Sequence, residues 1–437
     1  MTLHPRPPVR QRPALWFSAL SGGSDDSFRD RALRSGQGCF VRDVSGRSYL
    51  DARSALWNAA LGYGNRRIIE AMSRQLAELP VAQIIRHDQP TEAALAYAER
   101  LMAVLPGHLA HVRFCTTGSE AVEGAVFLSR FIRILEKQPD RTEVVALWDG
   151  YHGTGGLASA LTGERPLHEM QGPLVPGVHH VLAGDAAALR DAIRRIGSGR
   201  LTAVIMEPVL GTDVVELTAD YLHEVQRMCQ ADDIHFILDE VTTGFGRTGS
   251  MTVTGRLGLT PDMILLSKGI TSGYAPLSAI AVTDDVQARS LAVPGAIFPH
   301  GSTGDGHPLA MAAGAAVLDE MADGEVLANV AARGEQLTSA FRGVDLPAIG
   351  GVHGPGLMLA VELVEADGSP LSAQQMASVK DRCREAGLLV AISNHMVVVT
   401  PPLIITPAEC DLLVERFARG VEQAVGHQAA VAAGQPG

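Results

Sequence analysis

Four polar side chains stand where apolar runs end: Tyr151 after Val144–Leu147, Glu207 after Ala203–Met206, Asp239 after Phe236–Leu238, and Lys268 after Met263–Leu266. An ammonium at the mouth of a buried strand is hard to hydrate, so its neutral amine is favoured and becomes a usable nucleophile. Each pKa unit lost from the reference value near ~10.4 corresponds to about 1.4 kcal/mol, which burial can supply. Only three of the 36 basic residues are lysines. Lys137 lies in the polar run Glu136–Asp140 and Lys380 among Asp381, Arg382 and Arg384, both as solvated surface charges. If the protein forms a Schiff base, Lys268 forms it. Taken alone, a lysine at a strand end is more often a snorkelling charge, but its company argues otherwise. A carboxylate at a strand terminus, as at Asp239, is costly unless it meets a positive charge or a donor, and a protonated pyridine nitrogen would be such a partner.

The apolar runs, with helical patterns such as Tyr221–Gln230 between them, predict an α/β fold with a mainly parallel sheet covered on both faces. Such sheets bind ligands at the carboxyl ends of their strands, where these four side chains fall. The stretch Thr116–Val122 leads from a short strand, His111–Cys115, into a helix. Thr117 and Glu120 have capping-box spacing, which puts Gly118 and Ser119 at a helix N-terminus that favours a phosphate. An ordinary capped helix fits the same pattern. Tyr151, leaving its strand in Trp148–Gly153, is placed to stack on a flat ligand. In the glycine-rich turn His300–Pro308, Thr303 either binds phosphate or closes the turn, and Trp57 either packs in the core or lines a pocket.

Three regions follow. Residues 1–60 form an N-terminal arm and a small β unit, whose hairpin pairs Gly38–Asp43 with Arg47–Asp51. Residues 61–325 form a large ligand-binding domain, and residues 326–437 a C-terminal αβ domain with a disordered tail at 429–437. At 437 residues and 46% hydrophobic, the chain can bury a large core. A net charge of −12 with scattered acids argues against nucleic acid as a partner. The five cysteines are odd in number and widely spaced, which suits buried thiols in a reducing compartment better than a metal site or a disulfide framework. No run reaches the ~18 apolar residues of a membrane span. The expectation is a soluble, cytoplasmic protein with no membrane partner.

Together Thr117–Ala121, Gly150–Gly153, Glu207–Pro208, Asp239–Gly249, Ser267–Gly269, His300–Thr303 with Gly306–Pro308, and Pro401–Leu403 resemble, in this order, the motifs of the class III aminotransferases. These are pyridoxal-phosphate enzymes of fold type I, and the resemblance covers roughly residues 38 to 420. It implies a large domain with a mainly parallel seven-stranded sheet covered by helices, and a smaller αβ domain from the chain ends. It implies that Lys268 holds pyridoxal 5'-phosphate and then shuttles the proton, and that Asp239 keeps the pyridine nitrogen protonated. Val241 and Tyr151 would pack on opposite ring faces, and His152 and Glu207 would line the cofactor pocket. Gly118 and Ser119 would bind the phosphate, with Thr303 supplied by the neighbouring subunit of a homodimer. Arg247 is read as fixing the loop Gly244–Gly249. The implied reaction moves an amino group from an amine donor to a carbonyl acceptor in two halves.

The pattern departs from the family at one place. Members that accept α-amino acids usually have an arginine ten or three positions before Pro401 to grip the α-carboxylate bidentately; those positions are Ala391 and Val398. Thr212 stands where some members place a glutamate that gates such an arginine. The expectation is a small-molecule or peptide substrate without a carboxylate beside the reacting carbon, or a carboxylate bound by Arg86 or Arg53. Trp57 and His395 complete the candidate substrate residues, and the setting would suit specialised biosynthesis. A 1,2-aminomutase, a racemase or a decarboxylating transaminase would share every cofactor residue. A nucleotide-binding oxidoreductase would want G-x-G-x-x-G after an early strand, which is not found in that context. A non-catalytic binding protein that keeps the fold is the alternative of another class, and the intact Asp239 and Lys268 argue against it.

Overall fold

A computed structural model describes residues 30–86 and 89–432; the expected arm before residue 30 lies outside them. Strands β1 (Leu33–Gln37), β2 (Phe40–Asp43) and β3 (Ser48–Asp51) form an antiparallel meander. The expected β2–β3 hairpin is present. The Asp43 carboxylate closes its turn by accepting from the N–H groups of Ser45 and Arg47 at 2.9 and 3.0 Å.

Among the described residues nine strands follow: β4 (Leu109–Cys115), β5 (Glu143–Leu147), β6 (Val178–Val181), β7 (Leu201–Met206), β8 (Val209–Leu210), β9 (Val215–Glu216), β10 (His235–Asp239), β11 (Met263–Leu266) and β12 (Ser278–Thr283). Seven of them form one sheet in the order β4-β12-β11-β10-β7-β5-β6. Only β12 runs against its neighbours. Every residue of β7, β10 and β11 is buried, which is why these strands read as continuous apolar runs rather than alternating ones. Each large apolar side chain so buried stabilises the fold by roughly 1.5–3 kcal/mol. Because β5, β7, β10 and β11 are parallel, Trp148, Glu207, Asp239 and Ser267–Lys268 leave along one edge.

The remaining strands are β13 (Ile349–His353), β14 (Leu359–Leu363), β15 (Leu388–Leu389), β16 (Ala391–Ser393) and β17 (Met396–Val399). Four form an antiparallel sheet, β13-β14-β17-β16, while β15 crosses over to pair with β3. The two ends of the chain therefore share a core in which Cys39, Leu50 and Ala60 join Phe341, Val379 and Phe417. The last helix runs from Pro407 to Ala432 and so enters the tail expected to be disordered. Residues 433–437 lie outside the described ones. All five cysteines are buried and free. Among the described residues no helix is long and apolar enough to cross a membrane.

One buried residue of this sheet makes stability depend on pH. His235 opens β10, its Nδ1 2.6 Å from Ser129 Oγ, and its Nε2 has no partner among the described residues. Burial, with the charges of Arg133 and Arg289, pushes its pKa down to about 3. The fold keeps the ring neutral, whereas the unfolded chain takes up a proton near ~6.5. Stability is therefore full above that value and declines as pH falls toward 3, by roughly 1.4 kcal/mol per pH unit from this group. Urea midpoints measured from pH 7 to pH 4.5 should fall with a slope that His235→Asn flattens by about one proton. An equal slope in both proteins would remove His235 from the account.

Candidate active site

Beyond Leu266 the chain enters a single 3₁₀ turn, Lys268–Thr271, with Lys268 at φ 43°. For a non-glycine residue that left-handed backbone costs about 1–2 kcal/mol. Lys268 Nζ donates to Thr242 Oγ1 at 2.6 Å and lies 5.1 Å from the centre of the Trp57 ring. Withdrawal from water pushes its pKa down, against the opposing charges of Glu207 and Asp239. The amine is thus easier to deprotonate than a surface lysine, as a nucleophile requires.

Asp239, the last residue of β10, is 2% exposed. Its Oδ1 accepts from Val241 N at 3.0 Å and its Oδ2 from His152 Nδ1 at 2.7 Å. Burial alone would lower the His152 pKa, but the bond to Asp239 and the charges of Asp239 and Glu207 raise it overall. The pair is a charge-assisted hydrogen bond in a dry setting. Glu207, just past β7, is also buried; its Oε2 accepts from Tyr151 N at 2.8 Å and its Oε1 from Gly211 N at 3.1 Å. Burial, offset by His152 and reinforced by Asp239, pushes its pKa up to about 7. The Tyr151 side chain stands half-exposed at the mouth of this crevice.

The helix Gly118–Leu135 begins at the same edge, with Thr117 Oγ1 accepting from Glu120 N at 3.2 Å. The return bond differs from a capping box, because the Glu120 carboxylate takes Thr116 N, at 2.8 Å, one residue earlier. A Cβ added to Gly118 would lie 3.3 Å from Val241 Cγ1 and 3.7 Å from Ser267 Cβ. One added to Gly153, at φ 111°, would overlap Ser119 Oγ at 2.0 Å. The helix N-terminus, Val241 and the residue before Lys268 thus meet closely, with the two glycines letting the segments approach. The N–H groups that this helix start leaves without internal partners suit a phosphate.

Arg247 is buried, and its guanidinium donates to the carbonyls of Leu357 at 2.9 Å and Pro401 at 2.6 Å, so it ties its loop to the C-terminal sheet. Of the substrate candidates, Trp57 faces Lys268 within the same chain. Arg86 is exposed and borders a separate cavity of about 800 Å³ with His111, Arg113, Phe298 and His300. Arg53 is paired with Asp51 at 3.3 Å, and His395, in the β16–β17 turn, with Glu362 at 3.3 Å. Thr303 is exposed, beside Ser302, whose Oγ lies 2.8 Å from Thr116 Oγ1; among the described residues it has no hydrogen bond to the Lys268 group. Two residues went unnoticed in the sequence. Thr242 holds Nζ, and the buried Glu240 carboxylate gathers Val253 N, Thr254 N and the hydroxyls of Thr243 and Thr254. The available signal was the run Asp239–Thr243, in which two acids at a buried strand end must find donors nearby.

Comparison with known proteins decides the family: aminotransferase class-III matches residues 24–421. The chain belongs to that family. The omega-aminotransferase of Caulobacter vibrioides is 32% identical over 417 residues, 90% of this chain and 94% of the relative. The acetylornithine aminotransferase of Mycobacterium tuberculosis is 34% identical over 398 residues, covering 90% and 92%. Among solved structures, an amine transaminase from an uncultivated Pseudomonas species in its PLP-bound form matches with a TM-score of 0.89 at 30% identity, over 94% of this chain and 99% of that one. This class-III aminotransferase therefore has the type I fold and is a PLP-dependent enzyme. The helix N-terminus at Gly118, the buried Asp239 and the softened amine of Lys268 fit that cofactor.

Proposed function

We propose that this aminotransferase moves an amino group between an amine and a carbonyl compound, at least one of which lacks a carboxylate beside the reacting carbon. The observation that carries the reading is the wall next to Lys268. Ala391 and Val398 are direct partners across β16 and β17, and both pack with Val209, Val214, Met358, Ala360 and Trp57 in one apolar cluster. Trp57 in turn faces Nζ. Both positions from which a relative's arginine would reach an α-carboxylate thus belong to hydrocarbon, where an unpaired carboxylate costs several kcal/mol. Arg247 and Arg53 are already engaged.

When bound, PLP supplies an electron sink for the carbanion left by loss of the substrate's Cα proton. Lys268 takes that proton and returns it, with Thr242 holding Nζ. Asp239, fixed by Val241 N and His152, is the anion for the pyridine nitrogen. Gly118 and Ser119 would hold the phosphate, and Val241 and Tyr151 would flank the ring. Glu207 fastens the Tyr151 backbone to Gly211, under Trp57. Thr303, on the exposed surface, is assigned to the second protomer's phosphate in a homodimer.

Single-turnover half-reactions followed by cofactor absorbance test the substrate reading without an acceptor. Because each half is reversible, a product amine also serves as donor. Primary amines without an α-carboxylate should react, the best of them at least about ten-fold faster than the matched α-amino acid. Turnover of α-amino acids with no reaction from any such amine would overturn the reading.

A further inference from the structure

We infer that Glu164 selects substrates carrying a second positive charge, such as diamines, at the mouth of the site; the inference rests on the amine reading above. Gly163 N donates to Gly150 O at 2.8 Å and Asp149 N to Gly163 O at 3.1 Å, which clamps this segment to the loop that delivers Tyr151. A Cβ on Gly163 would come within 2.2 Å of Leu147 O, so the two segments touch backbone to backbone. From there Glu164 Oε1 accepts from Thr212 Oγ1 at 3.1 Å. Thr212 follows Gly211, where an added Cβ would lie 3.0 Å from the Trp57 ring and 3.3 Å from Glu207 Oε1. The Glu164 charge also helps burial to raise the pKa of the Tyr151 hydroxyl. Thr212, uncharged itself, thus receives a carboxylate from another element. The acid thus stands between the segment that carries Tyr151 and the one that packs Gly211 against Trp57, whose ring faces Lys268 Nζ.

Nothing in the fold accounts for this acid. Among the described residues it has no ion-pair partner, and its neighbour Arg165 lies instead 4.1 Å from the centre of the Trp148 ring. Glu164 occupies the N-cap position of the helix Arg165–Gln171 but its side chain makes no capping bond. Asp213, which follows Thr212 in the chain, has the same sign; Asn394 Nδ2 donates to its Oδ2 at 2.7 Å, and its buried Oδ1 has no partner among the described residues. A half-buried carboxylate held by one neutral hydroxyl beside a second acid attracts a cation and repels an anion. An amine whose reacting nitrogen is at Lys268 and whose other end is cationic gains from it, and one with a terminal carboxylate loses.

The test compares kcat/KM for n-alkylamines, α,ω-diamines and ω-amino acids of matched length, from four to eight carbons. The wild-type enzyme should favour the diamine over the monoamine about ten-fold at the best length, less as salt is added. Glu164→Gln, which can keep the Thr212 bond, should bring that ratio to about one, and Glu164→Lys should favour the ω-amino acid instead. A ratio near one in the wild type at every length, or a ratio that survives in both variants, sinks the inference. If no monoamine or diamine reacts while α-amino acids do, the amine reading falls with it; equal rates for monoamine and diamine defeat only the role of Glu164.

Discussion

Lys268→Ala should lower the rate of transamination by at least about 10⁴-fold while leaving the protein folded. Lys137 and Lys380 are exposed and belong to other surfaces, so no second amine can substitute. The variant loses one bond, from Nζ to Thr242 Oγ1, and one ring contact, to Trp57. The depressed pKa of Lys268 means that its charge opposes folding at neutral pH, so the truncation should cost little stability, and thermal midpoints should stay within a few degrees. Small exogenous amines should restore part of the proton transfer, which a merely collapsed site would not allow. Activity within ten-fold of wild type would mean that the proton is moved by another group.

Asp239→Asn should lower kcat by about 10²–10⁴-fold, the scale of breaking a buried charge pair. The substitution preserves shape: an amide oxygen can still accept from Val241 N, but the amide nitrogen now faces His152 Nδ1, which must turn neutral to accept from it. The charge that raised the His152 pKa is gone, and so is part of what raised Glu207 toward about 7. Since Asp239 lies beneath the site rather than in the substrate path, KM should move far less than kcat. A cofactor methylated at its ring nitrogen, and so permanently cationic, should recover part of the loss. Unchanged kcat would show that the anion does not act on the ring.

What the sequence made legible follows from burial. Strands covered on both faces leave no polar alternation, so a single Glu207, Asp239 or Lys268 at their ends stands out against apolar residues. The reversal of β12 could not be read, because Ser278–Thr283 is a buried, largely apolar run like the parallel strands of the same sheet, and direction leaves no mark on composition. The pairing of β15 with β3 was hidden for another reason: Leu388–Leu389 is too short to show a period. The backbone around Trp57 gave no warning either, since Ser54, Ala55 and Trp57 hold φ of 47°, 60° and 63° with no glycine to mark the strain. Thr242 and Glu164 were missed because their partners lie on other elements. Arg86 and His395 are expected at the substrate from residue type and, for His395, nearness in sequence; within the single chain described, Arg86 borders the cavity beside His111 and Phe298, and His395 pairs with Glu362.

The most direct measurement is chemical. Reduce the PLP-loaded enzyme with borohydride, digest it and locate the phosphopyridoxyl group by mass spectrometry. The site described here puts that mass on the peptide containing Lys268, in one copy per chain. An unlabelled chain, or a label on Lys137 or Lys380, would contradict it.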